Sequence, residues 1–335
     1  KKELEKVQQQ EGIAFVFGSG KRKSPLQKMM EQLEEYLHRL QEYDEKLRIC
    51  GDRNSYSKTD PDATFMRMKE DHMRNGQLKP AYNVQHSVDS EYIVWVHVSP
   101  HRSDSLTLKP VLKEMEKYLT FRYREIVADA GYESEENYLY LDRNGQLAFI
   151  KPTNFEISKT RSYRSDISRK ENMQYDEERD VYICRNSKEL VATHARHSKS
   201  SNGYVLETTI YTCSSCKGCP YKTSCIKGNN CKTPMEERNK VLQVSKKKEQ
   251  FRKACLERLV SDRGVQLRMN RSIQVEGSFA IIKEDMNFRR YSYRGKDNVL
   301  TQSMLMAMAF NMNKLHHKIQ NNRTGTHLFE VQISA

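Results

Sequence analysis

Nowhere do eighteen apolar residues run together in the 335-residue chain, which excludes a membrane-spanning helix. No signal peptide follows the first residue, Lys1, so the chain is read as lacking its natural start and as cytoplasmic. Internal repeats and low-complexity tracts are missing too. Hydrophobic residues are only 37% of the total, against 30% charged. A chain of this length still buries a core, so wholesale disorder is excluded. Acidic residues fall short of basic ones, leaving a net charge of +13 and a pI of about 9.2. That surplus favours a polyanionic partner, because Lys and Arg release counterions from phosphate backbones. The alternative is a protein that is simply basic and soluble.

Cysteine is the exception to this sparseness. Besides Cys50 and Cys255 there are Cys184, Cys213, Cys216, Cys219, Cys225 and Cys231. Without a secretory signal, clustered cysteines suggest metal ligation before disulfides. Two-residue gaps let neighbouring thiolates grip one tetrahedral ion such as zinc, and Cys184 can complete a set with Cys216, Cys219 and Cys225. No second clean Cys-x2-Cys pair occurs, and free thiols remain the competing reading.

The pattern of elements predicts an α/β protein. Ser24-Pro25 opens a long helix with Leu26, Met30, Leu33, Leu37, Leu40 and Leu47 along one seam. The seam packs either on its own domain or in a dimeric coiled coil. Residues 51–76 read as polar and turn-rich. Strands are expected at 81–85 and 92–98, then a helix capped by Ser103-Asp104-Ser105 and running to Leu119, a strand at 125–128, and a helix from Glu135. This order implies a mixed sheet. Short β runs at 147–150, 181–184, 190–193 and 204–211 suggest a separate β-rich region. Helices resume near Lys246 and end with one over about 298–318, whose Met304, Met308 and Met312 read as core filler.

Two carboxylates stand out. Asp129 directly follows a hydrophobic strand, where open α/β sheets place ligands, and Gly131 lets the chain turn away. A helix cap or turn residue is the plainer reading. Glu276 lies on a presumed helix with Lys283 two turns on, and Gly277 beside it costs about 1 kcal/mol there unless something must approach the backbone. The flanking stretch 246–297 holds fourteen Lys/Arg against seven Asp/Glu. Within it, Arg289, Arg290, Arg294 and Lys296 alternate with Phe288, Tyr291 and Tyr293, a composition suited to phosphate contact and stacking. A solvated basic face is the alternative.

In order along the chain, Thr59-Asp60-Pro61-Asp62-Ala63, Tyr82-Asn83-Val84-Gln85, Ile126-Val127-Ala128-Asp129-Ala130-Gly131-Tyr132, Ile273-Gln274-Val275-Glu276-Gly277-Ser278-Phe279 with Lys283, and Phe310-Asn311-Met312-Asn313-Lys314-Leu315 resemble bacterial insertion-sequence transposases of the Asp-Asp-Glu (DDE) class, in the branch with a cysteine-bearing insertion. The resemblance implies a ribonuclease H-like fold whose three acids hold two Mg²⁺ ions, with Asp129 as the second acid and Glu276 as the third. It implies a ribonuclease H-like domain at 77–144 and 246–320, a β-rich insertion with the cysteine cluster at 145–245, a helical or linker segment at 1–76 and a flexible tail at 321–335. Lys283, Arg271, Arg289, Arg290, Arg294 and Lys296 become DNA-binding candidates. The family's Tyr-x2-Arg-x3-Glu-x6-Lys signature is only partly kept, since Ser272 stands at the Arg position with Arg271 one residue earlier, and Met269 replaces Tyr. Residues 1–80 hold no strand ending in Asp-Gly-Thr, so the first acid is expected upstream of Lys1, with Asp62 as the fallback.

The function so implied is cutting and joining of phosphodiester bonds at insertion-sequence ends by an N-terminally incomplete, weakly active copy. Its partners would be terminal-repeat and target DNA, with a homodimer on DNA, no membrane, and a nucleoid-associated location in the bacterial cytoplasm. The rivals are a noncatalytic zinc-containing DNA-binding module and a host nuclease that cleaves without joining.

Overall fold

The computed structural model describes residues 1–68, 74–200, 202–228 and 231–330. Two compact units divide it, Lys1–Ala81 and Tyr82–Ala335.

In the first unit, α1 (Lys2–Gln10) precedes α2 (Pro25–Cys50). Ser24 caps α2 as expected, its Oγ accepting from Gln27 N at 3.1 Å. Gln27 is fully buried because its amide pairs with both backbone groups of Val16, at 3.0 and 2.8 Å. The apolar seam is buried only at Met30; Leu37, Leu40 and Leu47 are exposed, which corrects the expectation of packing within the unit. Residues 51–76 are not all turns. β1 (Thr64–Arg67) pairs antiparallel with β2 (Leu78–Ala81), two short strands that four-residue polar patterns did not reveal.

The second unit opens with the hairpin of β3 (Asn83–Asp89) and β4 (Tyr92–Ser99). Its two-residue turn puts Ser90 and Glu91 in the left-handed region, as hairpin turns matching strand twist require. Next come α3 (Leu108–Leu119), β5 (Glu125–Ala128), α4 (Glu135–Arg143), capped by Ser134, and β6 (Leu147–Ile150), parallel to β5. β6 therefore belongs beside β5 and not to the β-rich insertion, where its sequence position had placed it. The single mixed sheet is also corrected: β3–β4 and β5–β6 form separate two-stranded ladders.

Beyond α5 (Arg161–Ser165), the strands β7 (Gln174–Asp176), β8 (Val181–Ile183), β9 (Glu189–Lys199), β10 (Val205–Cys213) and, after α6 (Lys222–Cys225), β11 (Val241–Val244) make one antiparallel meander. It has its own core around Tyr182, Leu190, Tyr211 and Leu242. Then α7 (Lys246–Val260) returns to the first core, inserting Cys255 and Leu259 among Leu112, Leu141 and Ile150. It meets α8 (Asp262–Arg271) so closely that a Cβ on Gly264 would lie 2.0 Å from the Arg258 carbonyl oxygen.

The helix continues through a π-helical turn at Ser272–Glu276, α9 (Gly277–Ala280) and a second π stretch at Ile281–Asp285; α10 (Lys296–Gln320) follows. Val299, Ser303, Ala307 and Phe310 form its buried stripe. Met304, Met308 and Met312 lie one position round and are exposed, so they are not core filler. Asn311 caps the outer edge of β4, exchanging two 2.8 Å hydrogen bonds with the Ile93 backbone. The tail is docked as far as residue 330 instead of frayed. Phe329 pairs both backbone groups with the Asn270 side chain, at 2.6 and 2.9 Å, and Lys318 Nζ donates to Thr326 O at 2.9 Å. Residues 331–335 lie outside the described residues.

Candidate active site

Asp129 lies at the carboxyl end of β5, as expected, and is also the cap of the short turn Ala130–Tyr132: its Oδ1 accepts from Ala130 N at 2.8 Å. One carboxylate oxygen is thus committed to the backbone, while the side chain as a whole is half exposed. Gly131 is not at a positive φ. What excludes a side chain there is Asp104, whose Oδ2 would lie 2.8 Å from a Cβ on Gly131. Asp104 does not cap the following helix with its side chain. Its Oδ1 accepts from Asn83 Nδ2 at 2.8 Å and from Gln85 Nε2 at 3.2 Å.

Glu276 ends the π-helical turn and is largely exposed. Arg271 stands between the two acids, with Nη2 3.5 Å from Asp129 Oδ2 and Nη1 3.6 Å from Glu276 Oε1. A guanidinium is a compact rigid fork, so the two carboxylates are within about 10 Å of each other. The π turn accounts for the displaced arginine. Residues five apart diverge in an α-helix, whereas i→i+5 bonding brings them to one face. Arg271, one residue early for a regular helix, regains the face of Glu276 through that extra residue.

Tyr132 closes the site. Burial pushes its hydroxyl pKa up, Asp104 adds to the rise, and Arg271 opposes it. The hydroxyl donates to Gln85 Oε1. Asp104 and Tyr132 were missed as site residues; Asp104 read as a helix cap, and Tyr132 had only its place three residues after Asp129 to mark it. Near Gly277 no atom lies within 4 Å of a built Cβ, so nothing in this chain demands glycine there.

Of the basic candidates, Lys283, Arg290 and Arg294 are exposed and Lys296 is partly so. Arg289 makes a bidentate pair with Glu284, at 2.9 and 2.8 Å, a surface contact worth about 1 kcal/mol or less. Phe288 and Tyr291 turn inward, stacking edge to face with each other, which leaves Tyr293 as the exposed ring of the three.

Cys184, Cys216, Cys219 and Cys225, with Cys213, line one cavity of about 20 Å³. That is room for about one water-sized occupant. Cys216 Sγ accepts from Lys240 N at 3.3 Å, and Lys240 Nζ donates to Ser168 O and Cys225 O at 2.6 and 3.0 Å. Burial pushes the Cys213 thiol up to about 11 and raises Cys225 too, while burial lowers Lys240. All are free cysteines; Cys231 is exposed and does not line the cavity. Among the described residues, no three His, Cys, Asp or Glu side chains are placed to hold a metal ion, either here or at Asp129.

Residues 183–316 match the family model described as a transposase DDE domain. The match bears out the resemblance to DDE-class transposases, and it contains Glu276, Lys283 and the cysteine cluster while leaving Asp129 outside. No curated protein and no solved structure matched the chain.

Proposed function

We propose that Asp129 and Glu276 are two of the three acids of a bacterial DDE transposase, on a ribonuclease H-like domain interrupted by the five-stranded meander. The observation that carries this reading is Arg271, which gathers two carboxylates 147 positions apart in sequence around one positive group. Like-charged side chains at a surface separate unless a cation holds them. Their oxygens suit a hard ion such as Mg²⁺. Two such ions, when bound, activate a water or a 3′-hydroxyl and stabilise the leaving oxygen of the cut strand. The chain's own part is to fix Asp129 through the Ala130 amide, to swing Arg271 from the acids toward a phosphate, and to meet the DNA backbone with Lys283, Arg289, Arg290, Arg294 and Lys296. Among the described residues, no group of three metal-ligating side chains is placed around Asp129, so metal binding and cleavage by these residues are weak.

The set Cys184, Cys216, Cys219 and Cys225 offers sulfur donors of the kind a soft ion such as zinc takes, but among the described residues no three of these side chains are placed to hold an ion and burial keeps Cys225 toward its neutral thiol, so no zinc site is assigned to the insertion. The exposed seam of α2 is proposed as the contact of a homodimer on terminal-repeat DNA.

Nicking of terminal-repeat DNA by the intact chain tests the reading. Mg²⁺-dependent cleavage lost in Glu276→Gln supports the enzyme. Unchanged DNA binding with no cleavage in either form identifies a noncatalytic module, and cleavage without strand joining identifies a host nuclease.

A further inference from the structure

Three cations converge on one aromatic ring just beyond β6. Lys151 Nζ, Lys159 Nζ and the Arg268 guanidinium lie 5.9, 4.5 and 5.1 Å from the centre of the Phe155 ring. A ring attracts a cation within about 6 Å, but three positive charges gathered so closely also repel one another. One carboxylate offsets them. Glu156 Oε1 lies 3.2 Å from Lys151 Nζ, and its Oε2 lies 2.9 Å from Lys159 Nζ. Glu156 is largely exposed, so both are surface pairs of the weak kind that another anion can replace. Among the described residues the Arg268 Nε is buried without a hydrogen-bond partner. A guanidinium carries five donors, so Arg268 keeps capacity for an oxyanion.

The loop that carries the ring is pinned from below. Glu133, whose side chain is fully buried, accepts from Thr153 N at 2.8 Å and pairs with Arg252 Nε at 3.1 Å. Arg252 also donates to Asn154 Oδ1, and Asn154 Nδ2 donates to Tyr163 Oη at 2.6 Å. Thr153 and Asn154 are therefore fixed immediately before Phe155, which lowers the ordering needed when an anion arrives. The cluster also adjoins the acid. β6 sets Ile150 opposite Ala128 of β5, and Lys151 N donates to Ala128 O at 3.2 Å, so Lys151 flanks Asp129 across the ladder. Arg268 lies one turn before Arg271 on α8, and Arg271 reaches Asp129. Positive groups thus continue from Arg271 through Arg268 to the two lysines.

We infer that Lys151, Lys159 and Arg268, gathered on Phe155, grip backbone phosphates of DNA beside Asp129, and that Glu156 occupies the place of a phosphate until DNA displaces it. Cations that meet phosphates and no base edge hold the duplex without reading its sequence. That the strand held here is the one cut at Asp129 rests on the two-acid reading above; the phosphate contact does not.

Binding of a mixed-sequence DNA duplex to the full chain, measured between about 50 and 200 mM salt, tests it. Glu156→Gln should tighten binding about threefold or more at the low-salt end, because it frees two lysines for phosphate. Lys151→Gln combined with Lys159→Gln should weaken binding about tenfold and lower the slope of log affinity on log salt by about 2, near 0.9 for each lost contact. Arg268→Gln should lower that slope by about 1. In the triple variant of Glu156 and both lysines, the gain from Glu156→Gln should vanish. A gain that persists without the lysines is a general effect of net charge and overturns the contact, as does an unchanged salt slope in the double variant. The same coupling with inorganic phosphate and none with the duplex marks a small-anion site and also overturns it. The two-acid reading fails separately: if Asp129→Asn and Glu276→Gln leave Mn²⁺ binding intact while the coupling holds, the acids are misassigned and the phosphate contact stands.

Discussion

The close approach of Gly131 to Asp104 makes a quantitative prediction for Gly131→Ala. The added methyl would sit 2.8 Å from Asp104 Oδ2, with Asp104 Cβ at 3.3 Å and Cγ at 3.5 Å. The carboxylate cannot swing away freely, because its Oδ1 is held by Asn83 and Gln85. Overpacking of this kind costs about 1–3 kcal/mol. Asp104→Ala alone removes two hydrogen bonds to a charged acceptor, and at about 1.5–3 kcal/mol each before relaxation it should cost about 2–4 kcal/mol. In the double variant the atom that clashed is gone and only the 3.3 Å contact remains, which a small shift relieves. The two effects should therefore be non-additive, the pair being about 1–2 kcal/mol less destabilised than their sum. Urea unfolding of the four proteins measures this. Gly131→Ala at wild-type stability, or strict additivity, refutes the idea that Asp104 is what forbids a side chain at 131.

Gly264→Ala should be far more damaging, because the obstacle is the Arg258 carbonyl at 2.0 Å, backbone that cannot rotate aside; a loss above about 3 kcal/mol, or failure to fold, is expected by thermal denaturation. His86, stacked on Phe279 at 4.6 Å between ring centroids, is pushed down to about 4 by burial. Its folded pKa lies below its unfolded value near 6.5, so the unfolded chain takes up the proton first and stability falls as pH drops from about 6.5 to 4, by about 3 kcal/mol in all. His86→Phe should flatten the stability curve in that window; an unchanged slope contradicts the assignment. Removing the C-terminal residues from 322 onward should expose Asn270 and Gln274, whose amides bond the Phe329 and His327 backbone, and speed exchange in the helix that carries Glu276.

Much of this was legible in the sequence because it is local. Ser24-Pro25 capped the helix it precedes, a helix began at Glu135 as expected, the β-branched run at 92–98 became β4, and Asp129 fell at a strand end. What escaped depends on register and long-range pairing. The methionines of α10 share a 3.6-residue period with its buried stripe and differ from it only in phase, which a period alone does not fix. Asp104 looked like a cap because Ser-Asp-Ser commonly is one; its partners Asn83 and Gln85 lie some twenty residues away. Arg271 looked misplaced by one residue, since no composition marks a π turn. β6 looked like part of the β-rich region that follows it, yet its partner is β5 on the far side of α4.

Mn²⁺ binding to the intact chain, read by electron paramagnetic resonance, tests most directly whether Asp129 and Glu276 face a shared ion. Asp129→Asn and Glu276→Gln should each abolish the same weak binding, and Arg271→Ala should strengthen it by removing the competing guanidinium held by both acids. Mn²⁺ binding that survives either single acid substitution would contradict the account.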